Sequence, residues 1–274
     1  LGAIVTKTIT LHPRRGNPPP RTCEAPAGML NSIGLENPGL EGFIQEKLPF
    51  LKKIGIPIIV SIASEDEIGE FLALARRLDK VKEASAIELN ISCPNIKTHD
   101  ARRTTQDARL ISQDPQATHE AVEAVRKVTK KTLITKLSPN VTDIVEIALA
   151  AERAGSDALA LINTFTGMSI EVKTRKPRIA AITGGLSGPA IRPMAVRMVW
   201  EVYQKVKIPI IGMGGIIDAP SALEFIIAGA SAVAIGTANF INPKASVEII
   251  SGIKKYLSKN KIKNIKTLIG SLKL

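Results

Sequence analysis

The run Asn90-Ile91-Ser92-Cys93-Pro94-Asn95 places a thiol just after an alternating apolar segment, with an amide on either side and a long polar stretch beyond it. A cysteine in that setting serves as a base once its pKa is lowered; a lone cysteine is more often an inert small hydrophobe. Lys7 and Lys136 each interrupt an apolar, β-branched run. Either lysine alone reads as an apolar stem with a solvated head. Both lie late in their strands, however, with Asn90 and Asn163 near the ends of neighbouring ones. Two lysines converging on one cavity imply an anionic occupant: a phosphate, a carboxylate or a reduced flavin ring. Schiff-base formation at a lysine of lowered pKa is the competing chemistry.

The glycines Gly184-Gly185, Gly188, Gly214-Gly215 and Gly236 each read singly as turn punctuation. Spaced as they are, with Ser187 and Thr237 as hydroxyl donors, they describe a phosphate cradle. Glu88, Asn90 and Ser92 alternate with Ile87, Leu89 and Ile91, and Lys136 shares a face with Ile134 and Ser138. Polar groups on strands covered on both faces cost free energy unless they are paired, so they need a structural or chemical reason. His99 and His119 show no metal-ligand spacing, and no metal is expected. Cys23 sits in a Pro-rich loop and is given no role.

The elements that must position these residues follow from periodicity. Short apolar runs at Ala3–Thr10, Ile56–Ala63, Ala86–Ser92, Thr132–Ser138, Ala158–Thr164, Ile208–Gly215 and Ala232–Thr237 predict strands. Amphipathic segments at Glu65–Lys80, Gln116–Lys130, Thr142–Ala154, Ala190–Val206, Ala219–Ala228 and Ala245–Ser258 predict the helices between them. The alternation specifies a parallel sheet with helical crossovers. An open doubly wound sheet and a (β/α)8 TIM barrel both satisfy it. Gly-rich turns after the last two strands match the phosphate site of barrels, which follows strands seven and eight. Counting back makes the first visible strand number two. The expected fold is therefore a (β/α)8 barrel lacking its first βα unit, a piece of roughly 30 residues; the chain opens on Leu1, not Met. A single domain over residues 1–274 is expected. Its insertions are an active-site loop at 93–115 and a β-ribbon at 168–185, with arms Ser169–Val172 and Arg178–Ile182. Residues Gly28–Leu51 form a further Gly/Pro/Asn-punctuated stretch.

Composition narrows the function. The chain has 274 residues, 45% of them hydrophobic, enough for one large core. No apolar run reaches the ~18 residues of a membrane span, and no secretory signal is visible. Two cysteines cannot supply the ligands of an iron–sulfur cluster, nor do they build a secreted disulfide framework; a reducing cytoplasm is expected. The net charge of +12 invites nucleic acid, but aromatics are only 3% and the basic residues are dispersed. A stacking platform for bases is thus not expected, and the charge reads as a solvated surface with an affinity for anionic ligands.

Taken together, GNPPPR (16–21), GMLNSIGLENPG (28–39), NISCPN (90–95), KLSPNVTDI (136–144), INT (162–164), GGLSGPAI (184–191), IPIIGMGGI (208–216) and AGASAVAIGTANF (228–240) resemble the soluble dihydroorotate dehydrogenases, in particular the NAD-linked two-subunit type. The similarity is collinear over nearly the whole chain. It implies a cytoplasmic enzyme of de novo pyrimidine biosynthesis that oxidises (S)-dihydroorotate to orotate with FMN. It also implies electron exit through a partner subunit carrying FAD and an iron–sulfur cluster, with a homodimer at the core of a heterotetramer. By the resemblance, Cys93 is the base. Lys7, Asn31, Ser32, Ile33, Gly34, Leu35, Asn90, Asn95, Asn163 and Thr164 bind substrate. Lys7, Asn90, Lys136, Ile162, Gly188, Gly214, Gly215, Gly236 and Thr237 bind FMN, with Lys136 at the N1/O2 edge and the glycines at the phosphate.

Two departures stand out. The family's opening strand and the turn after it are absent, and losing one stave of a barrel exposes strand edges. The family's Gly-Gly loop after the cysteine is replaced by Lys97–Gln113, with Arg102, Arg103 and Arg109. Rival readings are a related FMN barrel reducing another pyrimidine, of the dihydropyrimidine dehydrogenase kind, a Lys136 Schiff-base aldolase, and a non-catalytic barrel that only binds a partner.

Overall fold

A computed structural model describes residues 1–64, 68–92 and 111–273. Seven strands form one parallel sheet: β1 (Ile4–Val5), then β4 (Ile58–Ile62), β5 (Ala84–Asn90), β6 (Thr132–Lys136), β7 (Ala158–Leu161), β12 (Ile210–Gly212) and β13 (Ala232–Val233), lying side by side in chain order. All six pairings are parallel. The strands expected from periodicity are these seven, several of them shorter than the apolar runs that announced them. The sheet is curled, as in a half-barrel, and β1 and β13 are its two edges.

Period-two alternation sorts the strand residues into two faces. Ile87 and Leu89 of β5, Leu133 of β6 and Leu159 and Leu161 of β7 join the main core beneath the helices. That core is completed by α3 (Ile68–Asp79), α4 (Pro115–Arg126), α5 (Ile144–Arg153), α6 (Arg192–Tyr203) and α7 (Ala219–Ala228), through residues such as Phe71, Val125, Ile147, Val199 and Phe225. The opposite face carries Ala86, Ile134, Ala158 and Ala160, a small separate cluster flanked by Ile59, Ile211 and Met213. Small residues there leave room on the concave side. Further along the same face the side chains turn polar: Ser61 is level with Glu88, and Asn90 is level with Lys136.

Helix starts are explained by their caps. Asp114 accepts hydrogen bonds from the backbone N–H of Gln116 and Ala117 ahead of Pro115, and Asp143 accepts from Val145. Asp218 and Ser221 form a reciprocal capping box on α7. Gly229, with φ of 127°, ends that helix where a side chain would collide with Tyr203.

A second sheet was not anticipated. Strands β2 (Thr22–Ala25), β3 (Gly28–Asn31), β11 (Thr183–Ser187) and β8 (Phe165–Met168) form an antiparallel sheet in the order β2-β3-β11-β8. The stretch expected to be a punctuated loop from Gly28 therefore opens with a strand. It continues through α1 (Gly39–Gly42), a π-helical turn at Phe43–Lys47 and α2 (Leu48–Lys52). Within 168–185, β9 (Ile170–Glu171) pairs antiparallel with β10 (Lys176–Pro177). Arg178–Ile182, expected as the second arm, is not a strand, and β8 and β11 on either side belong to the antiparallel sheet. The expected loop at 93–115 falls largely outside the described residues; its described end is a 3-10 turn at Ile111–Gln113 leading into α4. A short helix, α8 (Ala238–Ile241), and a longer one, α9 (Ala245–Lys259), follow β13 and precede a 3-10 turn at Ile265–Leu268.

Candidate active site

A cleft of about 290 Å³ opens at the carboxyl ends of the parallel strands, where open and closed parallel sheets place their ligands. Its floor holds Glu88 and Lys136. Ile162, Asn163 and Thr164 form one wall, and Gly188, Gly214, Gly215, Gly236 and Thr237 form the rim. Seven of the nine residues expected at a cofactor thus line one cavity. Lys7 does not line it; it is exposed between Thr6 and Thr8, which do. Asn90 lies buried just behind it.

Six polar side chains at the strand ends form one directed chain. Asn163 Nδ2 donates to Ser92 Oγ at 2.9 Å, and Ser92 Oγ donates to Asn90 Oδ1 at 3.0 Å. Asn90 Nδ2 donates to Thr8 Oγ1 at 3.1 Å, and Thr8 Oγ1 lies 2.9 Å from Ser61 Oγ. Ser61 Oγ donates to Glu88 Oε1 at 2.8 Å. A hydroxyl has one proton; Ser61 spends its own on Glu88, so Thr8 must donate to Ser61. Every proton in the series therefore points toward Glu88. Lys136 Nζ lies 3.7 Å from the same carboxylate oxygen, and the two side chains are 20% and 2% exposed. This series answers the cost of burying polar groups on a covered sheet. Glu88 stood out in the sequence without a role, and Thr8 and Ser61 did not stand out at all. Thr and Ser are ordinary strand residues, and the bridge between Ile9 and Ile62 that brings these two together has no local signature.

The rim is built from backbone. Gly188, Gly214 and Gly215 have φ of 99°, 131° and 73°, in or near the left-handed region open to glycine. A Cβ on Gly215 would lie 2.7 Å from Gly188 O, and one on Gly188 would lie 2.7 Å from Gly28 Cα. Gly236 is different, because a Cβ there would meet nothing within 4 Å; its side faces the cleft. Among the described residues, the backbone N–H groups of Gly214, Gly215, Gly236 and Thr237 have no protein acceptor. Thr237 Oγ1 donates to Ser187 Oγ at 2.8 Å, tying the turn after β13 to the end of β11. Just beyond the rim, the hydrogen bond from Ser221 holds the Asp218 carboxyl below its usual range, burial opposing it and the backbone of Ser221 and the charge of Arg192 adding to it. The donor set fits a ligand with a phosphate at one end and a group that gains negative charge at the other: unpaired N–H groups face the first, and an ammonium faces the second.

The residues expected at a substrate divide. Asn163 and Thr164 line the cleft. Asn140, which the sequence argument passed over inside KLSPNVTDI, fixes them by donating to Thr164 O at 3.0 Å and accepting from Thr166 N–H at 2.9 Å. Asn31 is one strand away, donating to Gly185 O at 3.4 Å. Ser32, Ile33, Gly34 and Leu35 follow β3 and are absent from the cleft lining. They are tethered by Asn17 to Ser32 O and Ile33 O, and by Arg14 to Gly34 O. Asn37 pins the segment: its amide donates to Thr10 Oγ1 and Leu35 O and accepts from Thr10 N–H and Gly39 N–H. The Ser32 hydroxyl is fully buried without a hydrogen-bond partner among the described residues. Cys93 and Asn95 lie outside the described residues.

A curled parallel α/β sheet with a cleft at its strand ends defines the class. Within it the chain belongs to the dihydroorotate dehydrogenase family, whose sequence model matches residues 1–257. Among similar curated proteins is the "Dihydroorotate dehydrogenase B (NAD(+)), catalytic subunit" of Geotalea daltonii, 52% identical over 274 residues, covering 100% of this chain and 87% of that protein. The protein of the same name from Thermodesulfovibrio yellowstonii is 52% identical over 273 residues, with the same coverage. That from Desulforudis audaxviator is 51% identical over 271 residues, covering 99% of this chain and 85% of the relative. No helix among the described residues is long and apolar enough to cross a membrane.

Proposed function

We propose that this chain is the FMN-binding catalytic subunit of a dihydroorotate dehydrogenase of pyrimidine biosynthesis, oxidising (S)-dihydroorotate to orotate in the cytoplasm. The observation that carries the reading is the single cleft in which the backbone donors of the glycine rim and the Lys136 ammonium face the same space. Bound there, FMN would supply the two-electron acceptor that the chain's own side chains lack. Gly188, Gly214, Gly215, Gly236 and Thr237 hold its phosphate, and Lys136 stabilises negative charge at its pyrimidine edge, with Ile162 packed alongside. Lys7 and Asn90 complete the flavin's surroundings.

Asn31 through Leu35, Asn90, Asn95, Asn163 and Thr164 orient the dihydroorotate ring and carboxylate. Removing a carbon-bound proton needs a base held against it, and Cys93 is that base, taking the proton from C5. The series of hydrogen bonds running from Asn163 through Ser92 to Asn90 supports this division. It fixes the amide flips of two substrate residues, so that each presents a known donor or acceptor.

The name "catalytic subunit" borne by the relatives supports a partner chain, and NAD(+) in that name supports NAD as final acceptor. We assign the partner an FAD and an iron–sulfur cluster, and the catalytic chains a homodimer at the centre of a heterotetramer. The order and curl of the seven strands support a (β/α)8 barrel, with β13 and β1 flanking the position of the remaining stave. Residues 93–115 are proposed as the active-site loop and 168–185 as a β-ribbon insertion on a single FMN-binding domain.

The test is the visible spectrum of the FMN-reconstituted chain on anaerobic addition of dihydroorotate. The flavin band near ~450 nm should bleach, and Cys93→Ala should slow the bleaching by ~100-fold or more, the usual contribution of a general base. A band that bleaches with a dihydropyrimidine lacking the carboxylate but not with dihydroorotate would replace the substrate.

A further inference from the structure

The Lys136 ammonium is not a free charge. Among the described residues its counter-ion is the Glu88 carboxylate at 3.7 Å, which is beyond hydrogen-bonding range. Among the described residues, Lys136 Nζ makes no hydrogen bond. The ammonium is therefore tethered by charge while its three N–H donors stay uncommitted. Glu88 lines the same cleft and is almost completely buried. Its other partner is Ser61, the last member of the directed series that begins at Asn163. A buried carboxylate on the floor of a cleft meant for an anionic group needs an explanation, because it opposes the ligand's own charge.

We infer that Glu88 is a positioning residue for Lys136, and the counter-charge that limits how strongly the cleft favours the reduced form of its flavin. This rests on the FMN reading above and deepens it. With Glu88 ionised, the floor pair is neutral as a whole and the ammonium contributes only its local field. With Glu88 neutralised, the same ammonium presents a whole unit of positive charge. Groups near the flavin's N1 and N5 tune its electronics, and charges at a partly buried site interact through an effective dielectric far below that of water. Reduced flavin carries the negative charge, so loss of the carboxylate should favour reduction.

The experiment is a redox titration of the FMN-loaded chain against a reference dye, for the parent and four variants, each checked for flavin content and thermal unfolding. Glu88→Gln keeps the shape and an acceptor for Ser61 but removes the charge. It should raise the affinity for reduced relative to oxidised FMN about tenfold, an upward shift of about 30 mV for a two-electron couple. Lys136→Met should shift the potential in the opposite direction. Glu88→Asp, which restores the charge, should stay near the parent.

If Glu88→Gln does not fold, Glu88→Gln/Lys136→Met removes the pair as a unit, which buried pairs tolerate better than loss of one partner. The double variant should titrate above Lys136→Met alone. A purely structural role for Glu88 would alter unfolding and flavin content without moving the potential. An unchanged or lowered potential in Glu88→Gln, or in the double variant against Lys136→Met, overturns the inference while leaving the FMN reading intact. A parent chain that takes up no FMN overturns both.

Discussion

The floor and the rim of the cleft bind by opposite means. The floor and the network behind it are side chains: Asn163, Ser92, Asn90, Thr8 and Ser61 each donate to the next, the last of them to Glu88, and Lys136 is held to Glu88 by charge alone. The rim is backbone: Gly214, Gly215, Gly236 and Thr237 with donors unspent. A side-chain network fixes charge and orientation and so discriminates among ligand chemistries. A glycine rim offers generic donors at close approach and so suits a phosphate, whatever it is attached to. The floor is over-determined and fails by losing a partner; the rim is crowded at some points and open at others, and fails by gaining atoms.

Substitutions can break that contrast. The largest loss of stability is expected for Gly188→Ala on the rim. Its φ of 99° disfavours a side chain, and the new methyl would meet the backbone of Gly28 and Ala27. Strain and overpacking together should cost about 3 kcal/mol, read as a lower urea midpoint; a midpoint within error of the parent would mean that the rim is not packed as described. Ser61→Ala on the floor is next. It leaves the Thr8 hydroxyl without its acceptor and Glu88 without its hydroxyl donor, at about 1–3 kcal/mol. Chemical denaturation should show that loss, and a neutral result would dissolve the series into independent contacts. The smallest stability effect belongs to Gly236→Ala, where the methyl meets no protein atom and the change should stay within about 0.5 kcal/mol. Only the ligand should notice it. FMN affinity measured by fluorescence quenching should fall about tenfold. Unchanged affinity would move the phosphate away from Gly236.

What was legible in the sequence follows the same division. The rim could be read residue by residue, because a glycine where the chain must take positive φ or admit a ligand closely has a local reason to be glycine. The seven strands could be read because two-sided burial makes continuous apolar runs. Lys136 and Asn163 showed themselves as polar interruptions of those runs. Glu88 did as well, but the two hydroxyls that join it to Asn90 did not. Ser61 and Thr8 are 53 residues apart and become neighbours where the chain beyond β1 bridges β4 at Ile9 and Ile62, a pairing that depends on the whole sheet. The antiparallel sheet was hidden for a similar reason. β3 reaches its partner β11 across some 150 residues of sequence, and Gly-Met-Leu-Asn has no alternation long enough to announce a strand.

Asn37 shows how placement can govern chemical ageing as well as binding. Asparagines degrade when the backbone nitrogen of the next residue attacks the side-chain carbonyl and expels ammonia. The residue after Asn37 is Pro38, whose nitrogen carries no proton, and the amide itself is held by four hydrogen bonds. A carboxylate at this position would lose both donors and set an anion against Leu35 O. The residue that clasps the end of the first strand to the segment after β3 is thus also shielded from the spontaneous reaction that would open the clasp.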